Sequence, residues 1–149
     1  PRALGGGYRL MTRFALGCAR HESDQNTFAA RRTFFVPRSY SWWNLSAGPG
    51  ATLAWGDAKQ PTWVSASFGY THTRWTGRLA QDANGQYLDE KQRQGRAIAS
   101  LAYGYPIAPN FNLKAQANFL WATSNMAFER TYRYTYRTAN YLLGFTYDY

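Results

Sequence analysis

The sequence predicts an all-β chain of antiparallel, membrane-spanning strands, and three observations carry that prediction. Apolar and polar residues alternate with a period of two through six separate segments. Aromatic residues make up 18% of the 149 residues, with 12 Tyr and 6 Trp. Short turns alternate with long polar connections along the chain. The mean hydropathy of -0.54 fits this class, because a barrel strand offers only every second residue to lipid. No apolar run reaches the length a spanning helix needs, which excludes a transmembrane helix.

Taken in order, the first segment sets Tyr8, Leu10, Phe14 and Leu16 against Arg9, Arg13 and Gly17. The second sets Trp43, Leu45, Ala47, Ala51, Leu53 and Trp55 against Asn44, Ser46, Gly48, Gly50 and Thr52. In the third, Val64, Ala66, Phe68 and Tyr70 oppose Ser65, Ser67, Gly69 and Thr71. The fourth opposes Ala97, Ala99, Leu101, Tyr103, Tyr105 and Ile107 to Arg96, Ser100, Ala102 and Gly104. The fifth is the sharpest: Phe111, Leu113, Ala115, Ala117, Phe119 and Trp121 against Asn112, Lys114, Gln116, Asn118 and Leu120. The last places Ala139, Tyr141, Leu143, Phe145, Tyr147 and Tyr149 on one parity, with Thr138, Asn140, Leu142, Gly144, Thr146 and Asp148 on the other. Such a period puts one apolar and one polar face on each strand. The aromatic series Tyr141, Leu143, Phe145, Tyr147 and Tyr149 resembles the C-terminal signal of bacterial outer-membrane proteins, read by the barrel assembly machinery.

Short turns are expected at Gly56–Pro61 and Ala108–Asn110. Long polar connections are expected at Ala19–Ser39, Gly77–Gln94 and near Ser124–Arg130. Outer-membrane barrels have short periplasmic turns and long extracellular loops, so the C-terminus is expected in the periplasm. Tyr132–Arg137 carries its apolar residues on the opposite parity to the last segment. It is read as an extracellular extension joined through a bulge near Thr138, since a one-residue insertion exchanges faces. Tyr40, Trp43, Trp55, Trp75, Tyr105, Phe111, Trp121 and Tyr147 lie near strand ends, the level that amphipathic rings prefer. Closed membrane barrels begin at about eight strands, so residues 1–149 are expected to form an incomplete barrel. The chain opens at Pro1-Arg2-Ala3-Leu4 without a basic-then-apolar leader, and Gly5-Gly6-Gly7 runs directly into a strand. The last part of a larger single-chain barrel is the reading this favours; a barrel shared between chains, or further strands not evident from the pattern, are the alternatives.

The net charge of +9 suits an anionic lipid surface, or a lumen that handles polar or acidic polymer. Nucleic acid is not the expected partner, because the arginines are dispersed through strand patterns rather than clustered. One Cys and two His provide no metal-ligand set of the usual spacing, and no cofactor is expected. Cys18 is read as a small lipid-facing hydrophobe and His72 as an interfacial residue. His21, Glu22, Ser23 and Asp24 hold the residue types of a hydrolase, but consecutive loop positions seldom converge. The chain is therefore read as a conduit or anchor rather than an enzyme. Asp82–Arg93 is expected to be a solvated loop, with a lid or a phage contact as alternatives. The polar parity supplies Arg9, Arg13, Asn44, Arg96, Asn112, Lys114, Gln116 and Asn118. These are expected either to line a passage or to keep a plugged interior polar.

Phe34-Phe35-Val36-Pro37-Arg38-Ser39-Tyr40 resembles the Tyr-Phe-Ser-Pro-x-x-Tyr loop of the cellulose synthase outer-membrane subunit. It matches at Phe35, Pro37 and Tyr40, with Val36 in place of Ser. The order of strands and turns around it is similar across about residues 5–149, while the terminal residues differ. The resemblance implies the C-terminal part of a barrel of about sixteen strands in the bacterial outer membrane, without the family's helical repeats. It implies export of a cellulose-like exopolysaccharide, with outer-membrane lipid, the polymer and the rest of the barrel as partners. Barrels of this kind also include a phage adsorption protein, so an adhesin or phage receptor is the alternative. A small lipid-modifying enzyme is the second.

Overall fold

The computed structural model describes residues 2–3, 7–28, 35–129 and 133–147. Nine strands follow in chain order: β1 (Arg2–Ala3), β2 (Arg9–His21), β3 (Thr27–Phe28), β4 (Phe35–Val36), β5 (Trp42–Gly56), β6 (Pro61–Gln81), β7 (Tyr87–Ala108), β8 (Phe111–Ser124) and β9 (Tyr136–Tyr147). The six long ones pair in the order β2-β5-β6-β7-β8-β9, each antiparallel to its neighbour, and β1 borders β2. The small β3–β4 hairpin stands apart, inside the β2–β5 connection. Among the described residues no pair joins β9 back to β1 or β2, so the sheet is open.

All six alternating segments lie in strands, and the ladder registers put their polar parities on one face. Directly opposed residues of an antiparallel pair share a face. Leu10, Leu53, Val64, Tyr103, Ala115 and Leu143 oppose one another in turn across all six strands. This row is apolar from edge to edge. The next row runs Thr12, Ala51, Ala66, Leu101, Ala117 and Tyr141. No second layer packs on this face among the described residues, so Leu16 is 76% exposed and Leu143 72%. Among the described residues only Ala54, Ala80, Ala122 and Met126 are buried apolar residues, and none of them lies in these two rows.

Two connections differ from expectation. Most of residues 77–94, expected as a loop, is strand: β6 continues to Gln81 and β7 begins at Tyr87. The turn between them is only residues 82–86. Asp82 Oδ1 accepts from the N–H groups of Asn84 (2.9 Å) and Gln86 (2.8 Å), while Gly85 takes φ 82°. Asp and Gly make this turn locally, and the polar ribbon below it is held by cross-strand bonds that need no apolar side chain. The register slips between Arg74 and Leu79 and again before Gln81. The segment after β8 folds back onto this ribbon, where Ala127 N–H donates to Gln81 O (2.8 Å) and Ser124 Oγ to Arg93 O (2.8 Å).

The second correction concerns Thr138. β9 pairs with β8 without a slip from Tyr147 opposite Phe111 to Tyr136 opposite Ala122. No bulge lies at Thr138, and Tyr136 belongs to the polar-face parity. Tyr136 and Arg137 thus extend the strand, and Tyr132 lies outside the described residues. Trp75 is the third. It opposes Trp42, on the same face as Asn44, and so stands away from the apolar band.

Turn chemistry explains the other hairpins. Pro109 and Asn110 join β7 to β8, with Asn110 at φ 61°, a conformation that Asn tolerates better than most residues. Gly56 at φ 88° opens the β5–β6 turn, where Asp57 Oδ1 accepts from Lys59 N–H (2.9 Å).

Candidate functional site

The polar face is the candidate site, and its rows can be followed as the apolar ones were. Arg13, Gly50, Ser67, Ser100, Asn118 and Asn140 form one row across all six strands. Every member is polar or Gly. On one side lies the row Met11, Thr52, Ser65, Ala102, Gln116 and Leu142. Here Thr52 Oγ1 donates to Ser65 Oγ (3.0 Å), and Gln116 Nε2 reaches Asn118 Oδ1 (3.0 Å) in the neighbouring row. Beyond it come Arg9, Ala54, Trp63, Gly104, Lys114 and Gly144. On the other side, past the Gly69, Ile98, Leu120 and Thr138 row, lie Gly17, Ser46, Thr71, Arg96, Ala122 and Tyr136.

Small residues let the large ones lie flat here. A Cβ on Gly104 would meet the Trp63 indole at 2.3 Å, and one on Gly50 would meet Arg13 Nε at 2.7 Å. Gly17, Gly48, Gly50, Gly69, Gly104 and Gly144 all fall on this face of the long strands, whereas Gly95 falls on the other. A sheet that curves has less room on its concave side, and missing side chains there permit the bend. From Leu45 to Ala51 in β5 and from Ser65 to Tyr70 in β6 this face is also the less exposed one.

All eight residues expected to line a passage fall on this face. Arg9 and Lys114 share a row, Arg13 and Asn118 share another, and Asn44, Arg96, Asn112 and Gln116 occupy four more. Arg9, Arg13, Arg96 and Lys114 are exposed, and among the described residues none of them has a carboxylate at salt-bridge distance. Tyr141, Leu143, Phe145 and Tyr147 lie together on the apolar face of β9; Tyr149 is outside the described residues. Cys18 is exposed and opposes Leu45 on the apolar face.

The hydrolase-type residues His21, Glu22, Ser23 and Asp24 line one small cavity of about 120 Å³ with Ser41 and Thr76, and three of them have partners of their own. His21 stacks on Trp42 with ring centres 5.5 Å apart, and Glu22 pairs with Arg20. Ser23 Oγ accepts from Gln25 N–H (3.2 Å), while Ser23 N–H donates to Ser41 Oγ (2.9 Å). Among the described residues no three His, Cys, Asp or Glu side chains gather as metal ligands, and no helix is long and apolar enough to cross a membrane.

Phe35 and Val36 of the loop motif form β4, Phe35 stacks near Phe28 with ring centres 4.2 Å apart, and Pro37–Tyr40 make the turn into β5; Phe34 lies outside the described residues. A cavity of about 570 Å³ opens beside this hairpin, walled by Phe28, Phe35, Tyr40 and Tyr87 and carrying Arg78 and Lys91. Arg78 Nη2 donates to Tyr134 Oη (2.9 Å). Sequence reasoning missed this cavity, because it joins the β2–β5 connection to a ribbon read as loop. It also left Asn140 and the hydroxyl pairs of β5–β7 out of the candidate set on the polar face. Their parity was visible, but the registers that align them with Arg13 and Asn118 were not.

Comparison with protein-family models, with curated proteins and with solved structures finds no match to this chain.

Proposed function

We propose that the chain forms part of the wall of a bacterial outer-membrane β-barrel that exports an exopolysaccharide. The observation that carries the reading is the two-faced sheet: an uncovered apolar face across six strands, backed by a row of hydroxyl, amide and guanidinium groups. Water-facing proteins rarely expose apolar patches beyond a few hundred Å². Lipid is the cover that suits such a face. The span of the band agrees in scale. From Phe111 to Trp121 are ten residue steps, about 34 Å along the strand, or about 26 Å of height at a tilt near 40°. The apolar band of outer-membrane barrels is about 25 Å tall.

An open edge in hydrocarbon leaves unpaired N–H and C=O groups at several kcal/mol each. The edges at β2 and β9 therefore need further strands, from the same polypeptide or from other chains. Loop residues 34–40 support the cellulose-exporter type, in which a polar lumen passively guides a chain pushed from the inner membrane. The test is conductance of the intact polypeptide in planar bilayers, with and without polymer. Pores are expected, with altered conductance in Lys114→Ala and Arg13→Ala; unchanged conductance in both counts against a lumenal wall. A second reading, an adhesin or phage receptor, rests on the β6–β7 ribbon. These strands are 21 and 22 residues long, about twice what a spanning strand needs, and the excess projects beyond the bilayer.

A further inference from the structure

We infer that the cargo of this wall is a polyanion: a polysaccharide bearing uronate, phosphate or similar acidic groups, rather than a neutral glucan. The inference rests on the exporter reading and deepens it. The chain has eight Asp and Glu residues, and among the described residues the polar rows of the six-stranded sheet contain none of them. Glu22 and Asp24 lie in the β2–β5 connection, Asp57 in the β5–β6 turn, Asp82 in the ribbon turn, Asp89 and Glu90 on the ribbon, and Glu129 after β8. Asp148 follows Tyr147 outside the described residues.

The cations, by contrast, stand in the wall at three heights. Successive rows are two residues apart, about 6.8 Å along a strand. Arg9 and Lys114 share the lowest of these rows, Arg13 lies two rows higher, and Arg96 two rows above Arg13. The charged steps are thus about 14 Å apart, with Thr52, Ser65 and Gln116 in the row between the lower two and Gly69, Ile98, Leu120 and Thr138 in the row between the upper two. A wall of one sign concentrates its counter-ion, and rings of Arg and Lys select anions in pores. At the ribbon end, where Asp82, Asp89 and Glu90 also stand, the aromatic-walled cavity itself carries Arg78 and Lys91 and, among the described residues, no carboxylate. The spacing suits a flexible polymer handed from step to step, since each cation is exposed and, among the described residues, none has a carboxylate to release first; Arg9 Nη2 donates only to the Ala58 carbonyl (3.4 Å).

The test uses the intact polypeptide reconstituted in planar bilayers under a potassium chloride gradient. The reversal potential is expected to report chloride preference. Oligogalacturonate should block current at a concentration about tenfold or more below that of a cello-oligosaccharide of equal length. Arg13→Gln with Lys114→Gln should narrow that gap, and Arg13→Lys should restore it. Folding of each variant is checked by its heat-dependent shift in gel migration. Pores that prefer potassium, or that both oligosaccharides block equally, overturn the polyanion inference and leave the exporter reading standing. Absence of any pore overturns the exporter reading itself.

Discussion

Leu101 offers the sharpest test of the membrane assignment. It sits on β7 in the second apolar row, 52% exposed, between Ala66 and Ala117. Ala117 is six residues from Phe111 and four from Trp121, so the row crosses near mid-height of the band. Replacing Leu101 with Arg breaks no buried packing, because little covers it. In water such a surface change alters stability by at most about 0.5 kcal/mol. In hydrocarbon a guanidinium near the midplane of a barrel costs about 2–4 kcal/mol, roughly 30- to 1,000-fold in the folding equilibrium. Ser100 is the adjacent residue and faces Ser67 and Asn118 on the polar side; Ser100→Arg should cost little. Leu113→Arg, two residues from Phe111, should cost about 0–1 kcal/mol, since the penalty fades toward the interface. The assay is equilibrium guanidinium unfolding of the intact polypeptide in phospholipid vesicles, followed by tryptophan emission. A Leu101→Arg variant within 0.5 kcal/mol of the parent, or a Ser100→Arg variant as destabilised as Leu101→Arg, refutes the two-solvent assignment.

The remaining predictions probe other parts of the sheet. In a Cys18→Ala background, Ser100→Cys should react in vesicles with a charged thiosulfonate and Leu101→Cys should resist it; equal rates contradict the face assignment. Gly104→Val forces the Trp63 indole aside and should cost about 1–3 kcal/mol with a shift in tryptophan emission. Gly69→Ala, with nothing within 4 Å of the added carbon, should be near neutral, and thermal unfolding compares the two. Asn110→Val places a β-branched residue in the left-handed region at a cost of about 1–2 kcal/mol, whereas Asn110→Gly should be tolerated; equal melting temperatures would show that the turn has another conformation.

Local reading went furthest where the side-chain period was clean. β8 alternates from Phe111 to Trp121, and its faces follow from the pleat alone. It failed where polar sequence was equated with loop. Tyr87–Gln94 has no apolar stripe, yet β6 supplies the partner backbone and the ribbon forms. It failed again at Tyr136, where a change of apolar parity was taken as an insertion. In the folded chain the aromatic simply moves to the polar face while the backbone register continues. Trp75 shows the same ambiguity, since nearness to a strand end does not say which face a ring occupies.

Alternation along each strand is an intrastrand property, set by backbone geometry and therefore written in the order of residues. It determined the all-β class, the six strands and the polar identity of Arg9, Arg13, Asn118 and Lys114. The alignment of Arg13 with Ser67, Ser100 and Asn140, and the distance between one cationic row and the next, depend on register. Register is a relation between strands far apart in the chain, chosen by hydrogen bonding and cross-strand packing together. Only the assembled sheet decided it, and so only the assembled sheet brought these scattered polar residues into common rows on one face.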